Sequence, residues 1–269
     1  MIPKVKLSSG ENIPQVALGL WKNKDEQECI NTIKTALDLG YRHLDSAQAY
    51  ENEQFIPRGI EAAGLKRQDI FITTKIKVQN FAWVDKSFAT SLKKLETDYV
   101  DLLLLHFPVT GLRHRAWKHL EAIHKAGQAK TIGVSNYTIK HLEQLLKDCE
   151  IKPAVNQIEL HVFLQQPELL AYCKEQGIAV EAYSPLAHGN GLDDPVLAEI
   201  AKKHGKTSGQ IMLRWCIEAG TIPLPKSTHE DRLKQNIELF DFKLDEDDMA
   251  KIKTLDKDMR TCWDPTHIL

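Results

Sequence analysis

Long apolar segments, cysteine pairs and a surplus of charge of one sign are all missing from this sequence of 269 residues. No run reaches the roughly 18 apolar residues of a bilayer-spanning helix, and no apolar segment follows the first lysines as in an export signal. Lysine and arginine number 35 against 37 aspartates and glutamates, so the net charge of −2 gives no basic footprint for nucleic acid or anionic membranes. The five cysteines are scattered without a CxxC pair, which predicts reduced, mostly buried thiols. These absences predict a soluble, cytoplasmic protein with no nucleic-acid or membrane partner.

The sequence does contain an alternation of short strand-like runs with amphipathic helical patterns, repeated along the chain. Continuous apolar runs such as DLLLL at 101–105 are typical of parallel strands that are buried on both faces. Glycines follow several helical patterns and can end them in the left-handed conformation. The eight strand signals end at or near these positions: Gly19, Asp45, Thr74, Leu105, Val134, Gln157, Ala182 and Pro225.

This alternation predicts one α/β domain over residues 1–269, a (β/α)8 TIM barrel. A turn signal at Gly10 and Glu11 adds an N-terminal β-hairpin. Helical patterns at 195–204 and 245–255 add two extra helices, the first with Asp194 as its cap. A doubly wound open sheet is the alternative, but the sequence has no GxGxxG turn for the dinucleotide-binding version of that fold.

Polar side chains follow the predicted strands, at the end of a barrel where sites are built. Asp45 and Tyr50 come after the second strand, Lys75 after the third and His106 after the fourth. A lysine held by Asp45 beside Tyr50 would favour the phenolate and lower the tyrosine pKa from its usual value of about 10. His106 could then orient a carbonyl oxygen or help to protonate it.

The stretches that carry these residues resemble the aldo-keto reductase superfamily. LDSAQAYENE resembles the strand and loop with the catalytic Asp and Tyr of that family, ITTK carries the lysine and LLLLHFP the histidine. IGVSN, NQIELH and YSPLA resemble later signature stretches, in the order of the family. The likeness runs from Lys4 almost to the carboxyl terminus and is greatest to the prokaryotic reductases that include the 2,5-diketo-D-gluconate reductases.

The resemblance implies an NADPH-dependent carbonyl reductase. Tyr50 would be the general acid, Lys75 and Asp45 would tune it, and His106 would orient the substrate carbonyl. Ser135, Asn136 and Gln157 match residues that bind the nicotinamide carboxamide, and Tyr183 matches the aromatic platform under the ring. The remaining cofactor residues match the phosphate and adenine contacts: Ser184, Leu186, Lys226, Ser227, Thr228, Arg232, Gln235 and Asn236.

Arg232 and Lys226 favour NADPH over NADH, because a doubly charged phosphate needs cations as well as hydroxyls. Gln235 stands where the family usually has Glu. Each match also has an ordinary structural explanation: Ser135 and Asn136 could cap a helix, and Tyr183 could be a core residue.

The residues expected at the substrate pocket depart from the family pattern. Trp21 matches a pocket-lining position, but Lys77 and Phe107 stand where family members usually have tryptophan. Trp263 lies where the C-terminal tail of family members closes over the substrate. These departures suggest an open or polar pocket, with Lys77 either attracting anionic carbonyl compounds or pointing to solvent. The basic cluster at 113–115 is expected to be a surface feature.

Two other functions remain open from the sequence. One is a non-catalytic, NADPH-binding regulatory module of the same fold. The other is a barrel lyase or isomerase that uses Lys75 as a Schiff-base amine. No metal site is predicted, since the histidines form no convincing ligand set. A monomer acting on a small-molecule carbonyl substrate is the expectation from the family.

Overall fold

The N-terminal segment forms the expected hairpin in the computed structural model, which describes residues 2–268. Strands β1 (Lys4–Lys6) and β2 (Asn12–Pro14) pair antiparallel. Gly10 has φ of 91°, a conformation that favours glycine, and its amide donates to the carbonyl of Leu7 at the turn. The hairpin is therefore confirmed, but its turn consists of residues 8–10 rather than Gly10 and Glu11, because Leu7 N already donates to the Glu11 carbonyl at 2.8 Å.

Eight parallel strands follow in sequence order around a barrel. They are β3 (Leu18–Gly19), β4 (His43–Asp45), β5 (Phe71–Ile76), β6 (Val100–Leu105), β7 (Ala129–Ser135), β8 (Val155–Glu159), β9 (Ala179–Tyr183) and β10 (Ile222–Leu224). The first and last are joined by backbone bonds from Ala17 N to Pro223 O (3.2 Å) and from Gly19 N to Pro225 O (3.0 Å). A Cβ on Gly19 would lie 3.0 Å from the Leu224 carbonyl, so glycine permits this close approach of the strands.

Helices surround the barrel and connect its strands. They are α1 (Glu26–Asp38), α2 (Ile56–Ala62), α3 (Val84–Lys94), α4 (Arg113–Lys125), α5 (Ile139–Asp148), α6 (Pro167–Gln176), α7 (Pro195–His204), α8 (Ser208–Glu218), α9 (Glu230–Gln235) and α10 (Glu246–Lys253). The Asp194 carboxylate caps α7 by accepting from Val196 N at 2.9 Å. The expected barrel and the two extra helices, α7 and α10, are confirmed. Within residues 2–268, no helix has the length and apolarity to cross a membrane.

Apolar packing closes the end of the barrel at which the strands begin. Leu7 and Ile13 of the hairpin pack with Leu102 and Ile222 near the amino-terminal ends of the strands. A larger cluster fills the space between the strands and the surrounding helices. Because the hairpin occupies one end, the carboxyl-terminal ends of the strands are where a site can form.

The basic cluster at 113–115 is only partly the surface feature that was expected, because Arg115 is exposed and His114 half-buried but Arg113 is buried. Arg113, at the start of α4, is only 5% exposed, and its guanidinium donates to the side chain of Gln144 on α5. Its partner comes from a neighbouring helix about thirty residues along the chain, so no local pattern could reveal the burial.

Candidate active site

Asp45, Lys75 and Tyr50 meet at the carboxyl-terminal end of neighbouring strands. Asp45 ends β4, and Lys75 lies near the end of the adjacent β5, with none of its surface exposed. Lys75 Nζ donates to Asp45 Oδ1 at 2.8 Å and to Asp45 Oδ2 at 2.7 Å, and also to the Ser46 carbonyl at 2.8 Å. The Tyr50 hydroxyl accepts from the same Nζ at 3.3 Å. The three residues singled out from the sequence are therefore one hydrogen-bonded cluster.

A short 3-10 turn, Gln48–Tyr50, holds Tyr50 in place. The Gln48 Oε1 atom accepts from Lys77 N and from Asn80, which ties the turn to the loop after β5. On its other side, buried Asn52 donates to the Leu20 carbonyl at 2.8 Å. The loop that carries Tyr50 is thus fixed by buried amide side chains on both flanks.

Burial and Lys75 act on the Tyr50 pKa in opposite directions. Burial raises the pKa of Tyr50, whereas the nearby Lys75 ammonium lowers it. Burial is the larger effect, so the expectation of a net pKa below the usual value was wrong, although the direction of the Lys75 effect was right. For Lys75, burial alone lowers the pKa, but Asp45 and Tyr50 outweigh it and raise the pKa. At neutral pH the cluster therefore holds a protonated phenol beside a charged ammonium.

His106 faces this cluster from the loop that follows β6. Its ring centroid lies 5.8 Å from that of Tyr50, at an interplanar angle of 74°. Burial, with a smaller contribution from the Lys75 charge, lowers the pKa of His106 to about 3. The imidazole is consequently neutral at physiological pH and can donate a hydrogen bond to a carbonyl oxygen without carrying charge.

A second buried layer under the cluster was missed from the sequence. Gln157 Nε2 donates to Asp45 Oδ1 at 2.8 Å and to Glu181 Oε2 at 2.9 Å. Glu181 Oε1 lies 3.6 Å from His43 Nε2, and both side chains are fully buried. Burial and the Asp45 charge raise the pKa of Glu181 to about 8, and burial lowers the pKa of His43 to about 3, so the pair is neutral near pH 7. The only signal in the sequence is a glutamate inside the apolar run IAVEA.

The residues matched to the nicotinamide lie together on the next strands. Tyr183 ends β9, and its hydroxyl donates to Asn136 Oδ1 at 2.7 Å. Asn136 Nδ2 in turn donates to the His106 carbonyl at 3.1 Å, and Ser135 Oγ donates to the Gln157 carbonyl at 2.9 Å. These bonds fix a half-buried tyrosine ring beside polar side chains, next to the Tyr50 cluster.

The residues matched to the phosphate and adenine surround the loop after β10 and helix α9. Lys226, Arg232 and Gln235 are exposed, Thr228 is half-buried, and Ser227 and Asn236 are buried. Within residues 2–268, neither Lys226 nor Arg232 forms an ion pair. Ser184 and Leu186 are half-buried in the loop after β9, where Ser184 has φ of 48°. Two cations with no ion-pair partner near a buried hydroxyl are suited to an anionic group.

Comparison with known proteins decides the family. The profile of the Aldo/keto reductase family matches residues 15–257. The chain belongs to the aldo-keto reductase family. It is 43% identical to the glyoxal reductase of Bacillus subtilis over 98% of this chain and 97% of that protein. It is 39% identical to the methylglyoxal reductase DkgA of Escherichia coli K12 over 97% of this chain and 96% of the relative. The resemblance stated from the sequence is confirmed.

Solved structures agree with this assignment. An aldo/keto reductase from Brucella melitensis superposes with a TM-score of 0.91 at 43% identity, covering 95% of this chain and all of that one. An aldo-keto reductase from Bombyx mori, solved in complex with NADP, gives 0.91 at 35% identity, covering 97% and 94% of the two chains. This chain is therefore an oxidoreductase of the aldo-keto reductase family.

Aromatic side chains and the C-terminal tail border the site in this aldo-keto reductase. Trp21 is 40% exposed and lies 5.4 Å from the ring of His188, and Phe107 lies 6.3 Å from the ring of Trp263 in the tail. Of the four residues matched to the substrate pocket, three thus meet aromatic partners here. Lys77 instead lines a groove of about 490 Å³ between the Tyr50 turn and α3. The lining of that groove contains none of Asp45, Tyr50, Lys75 and His106, which are called the tetrad below.

Proposed function

We propose that this protein reduces small aldehydes and ketones to alcohols with NADPH, using Tyr50 as the general acid. The observation that carries the proposal is the buried cluster in which Lys75 bridges Asp45 and Tyr50, with neutral His106 facing the phenol. A protonated tyrosine beside a fixed cation can give its proton to a carbonyl oxygen and leave a phenolate that the ammonium stabilises.

The chain offers a coherent set of residues for NADPH. When bound, the cofactor supplies the hydride for the reduction. The Tyr183 ring, held by Asn136, would support the nicotinamide next to the tetrad. At the other end, Lys226 and Arg232 would pair with the 2′-phosphate, and buried Asn236 lies one turn further along to contact adenine. Glu230 and Asp231 also lie in the first turn of α9, and their negative charges would not favour a phosphate. Selection of NADPH over NADH would therefore depend on Lys226 and Arg232.

Proton delivery to the substrate follows from the contacts of the tetrad. His106 and Tyr50 would both donate to the carbonyl oxygen, which orients the carbonyl carbon toward the nicotinamide face. The Tyr50 proton then moves to that oxygen as charge develops on it. Lys75 stabilises the resulting phenolate, and Asp45 keeps the Lys75 ammonium in place. Because His106 is neutral, it donates a hydrogen bond but has no imidazolium proton to give up. The proton transferred would therefore be that of Tyr50.

Small dicarbonyl compounds are the proposed substrates. Relatives at 43% and 39% identity are named for glyoxal and methylglyoxal reduction. The mouth of this site is bordered by Trp21, Phe107 and Trp263, which would exclude water around a small carbonyl but leave room at the open rim. We further propose that the chain acts as a single barrel domain and a monomer.

The test is NADPH oxidation, followed by absorbance, with glyoxal, methylglyoxal, simple aldehydes and keto sugars, with the alcohol product identified by NMR. We expect turnover with the dicarbonyls and a higher kcat/KM with NADPH than with NADH. A second assay measures NADPH binding through quenching of tryptophan fluorescence. Tight NADPH binding without turnover of any substrate would contradict the proposal and favour the regulatory module instead.

The lyase or isomerase alternative is less well supported. A Schiff-base lysine needs a neutral amine, whereas Lys75 is bonded to both oxygens of Asp45 and its pKa is raised. Borohydride treatment in the presence of substrate would trap a Schiff base on Lys75, and we expect no covalent adduct by mass spectrometry.

A further inference from the structure

Glu159 is a buried carboxylate at the end of β8 that takes no part in the tetrad. Its Oε1 accepts from Thr261 N and Thr261 Oγ1, both at 2.6 Å, and from His161 at 3.4 Å. Its Oε2 accepts from Cys262 N at 3.2 Å. Three of these four bonds come from two consecutive residues of the C-terminal tail. Glu159 is only 1% exposed, so the tail lies directly over it.

The tail reaches Glu159 along the loop that follows β8. The amides of Lys257 and Met259 both donate to the Phe163 carbonyl, at 3.1 and 3.0 Å. Arg260 then contacts Gln166, and the next two residues bind the carboxylate. Beyond this point the tail carries Trp263, which is 79% exposed. Glu159 therefore holds the tail backbone at Thr261 and Cys262, directly before Trp263.

Glu159 also lies next to the residues proposed to hold the cofactor. In the barrel register it is paired with Tyr183, the proposed nicotinamide platform. Cys262, fixed by the carboxylate, places its Sγ 3.4 Å from Ser184 Oγ and 3.3 Å from His188 Nε2. Trp263 follows directly and meets Phe107. One carboxylate thus sets the position of the tail against two loops that border the site.

We propose that Glu159 is a positioning residue, which fixes the tail across the mouth of the site and thereby sets the affinity for the carbonyl substrate. This inference rests on the proposed reductase function. Glu159 acts through Cys262 and Trp263, because its own oxygens are taken up by Thr261, Cys262 and His161. Loss of the anchor is expected to weaken substrate binding more than it slows the chemical step at Tyr50.

A carboxylate suits this position because every neighbouring tail group is a donor. Both oxygens receive backbone N–H groups, and Oε1 also receives a hydroxyl. Glutamine would place an amide N–H₂ against one of these N–H donors in either orientation. Glu159→Gln is therefore nearly isosteric with the native side chain but loses at least one tail contact and gains a repulsive one. Thr261→Val removes only the hydroxyl bond, from the tail side.

The first experiment is limited trypsin digestion without substrate, followed by mass spectrometry for the peptide 261–269. Cleavage after Arg260 requires the Thr261 backbone to leave Glu159, so its rate reports opening of this anchor. We expect the rate to rise about tenfold or more in Glu159→Gln and less in Thr261→Val, as for the loss of buried hydrogen bonds to a charged group. Glu168→Gln, an exposed glutamate in the first turn of α6, is the matched control and should cleave at the native rate.

The second experiment compares kinetics with a chain truncated after Arg260. Glu159→Gln should raise KM for methylglyoxal about tenfold while changing kcat less than about threefold, as expected for lost substrate binding. In the truncated chain the same substitution should have no further effect, because the group it positions is gone. A KM effect that persists in the truncated chain, or an unchanged cleavage rate, would overturn the proposal.

The two readouts separate this inference from the proposed function. If the protein turns over no carbonyl, the proteolysis result still shows whether Glu159 holds the tail. Accelerated cleavage with no turnover would contradict the proposed reductase function but support the role of Glu159 in holding the tail. Cleavage of Glu159→Gln at the native rate, with normal turnover, would contradict the role of Glu159 in holding the tail but support the reductase function.

Discussion

Lys75 lies closer to Asp45 than to Tyr50. Its Nζ atom is 2.7 Å from the nearer carboxylate oxygen and 3.3 Å from the phenol oxygen. The ammonium is thus anchored by the carboxylate and only loosely bonded to the neutral phenol. In the proposed reaction the phenol loses its proton, and the same ammonium would then strengthen its bond to the phenolate, which is stabilisation that grows toward the transition state.

Replacing Lys75 with methionine should abolish this stabilisation. We expect kcat to fall about 10²-fold or more, as for loss of an acid–base group. The buried Asp45 would also be left without its cation, which costs about 3–5 kcal/mol of unfolding free energy. Urea unfolding and the carbonyl reduction assay measure the two effects. Adding Asp45→Asn should restore much of the stability but none of the activity, which separates catalysis from folding; a double variant that regains activity would contradict the assigned roles.

Glu181 should make the protein less stable at alkaline pH. Its pKa is raised to about 8 in the folded state, from 4.5 when unfolded, so the folded protein holds one more proton between these values. Stability from this group is fully present below pH 4.5 and is lost as pH rises toward 8, at about 1.4 kcal/mol per pH unit. His43 has the opposite dependence below pH 6.5, since its pKa is lowered to about 3 and stability is lost as the pH falls.

Urea unfolding at several pH values measures this dependence. Glu181→Gln should flatten the decline between pH 6.5 and 8, steepen the rise in stability between pH 4.5 and 6.5 that His43 then gives alone, and leave the profile below pH 4.5 unchanged. The exposed Glu175→Gln on α6 serves as the control and should keep the native profile. An unchanged alkaline slope in Glu181→Gln would show that this carboxyl is ionised in the folded protein.

Arg232→Ala should weaken NADPH binding and leave NADH binding nearly unchanged. The guanidinium has no ion-pair partner in residues 2–268 and is proposed to grip the 2′-phosphate, which NADH lacks. Loss of a bidentate charged contact should raise the Kd for NADPH about tenfold or more. Fluorescence titration with both cofactors tests this. Lys234→Ala, on the same helix but paired with Glu238, is the control and should keep the native ratio of affinities.

Gly133 and Gly209 should respond in opposite ways to alanine. A Cβ on Gly133 in β7 would lie 2.5 Å from the Val155 carbonyl and 2.8 Å from Leu104, so the strands must move apart, at about 1–3 kcal/mol of stability. Gly209 lies in α8 with no atom nearer than 3.8 Å to an added Cβ. There alanine should stabilise by about 0.5 kcal/mol. Thermal unfolding midpoints measure both changes, and equal shifts would contradict this picture of the barrel packing.

Local signals were enough to predict much of the barrel and part of the site. Helix α7 has the bounds expected from its Asp194 cap and from Gly205, which adopts φ of 63° at its end. Asp45, Lys75 and His106 could be located because they lie at or just past the ends of apolar strand runs, and parallel strands bring their carboxyl ends together. These inferences need only periodicity and capping, which neighbouring residues decide.

The residues that were missed depend on partners far along the chain. Glu159 lies between Ile158 and Leu160, and its role depends on a tail about a hundred residues away. Glu181 lies inside the apolar run IAVEA, and its role depends on Gln157 on the adjacent strand and on His43 across the barrel. The Tyr50 pKa likewise depends on how deeply the phenol is buried, a quantity that only the packed structure sets. The partnership of Asp45 with Lys75 was predictable from the order of the strands, whereas the burial of Tyr50 was not.

The central claim is that Tyr50 gives its proton to the carbonyl, and Tyr50→Phe tests it most directly. The measurement is the rate of methylglyoxal reduction by saturating NADPH, beside the Kd for NADPH from fluorescence. We predict that kcat falls about 10²- to 10⁴-fold while the Kd changes less than about threefold, because the phenol is required for proton transfer and not for holding the cofactor. A variant that retains a tenth or more of the native kcat would contradict the assignment of Tyr50 as the general acid.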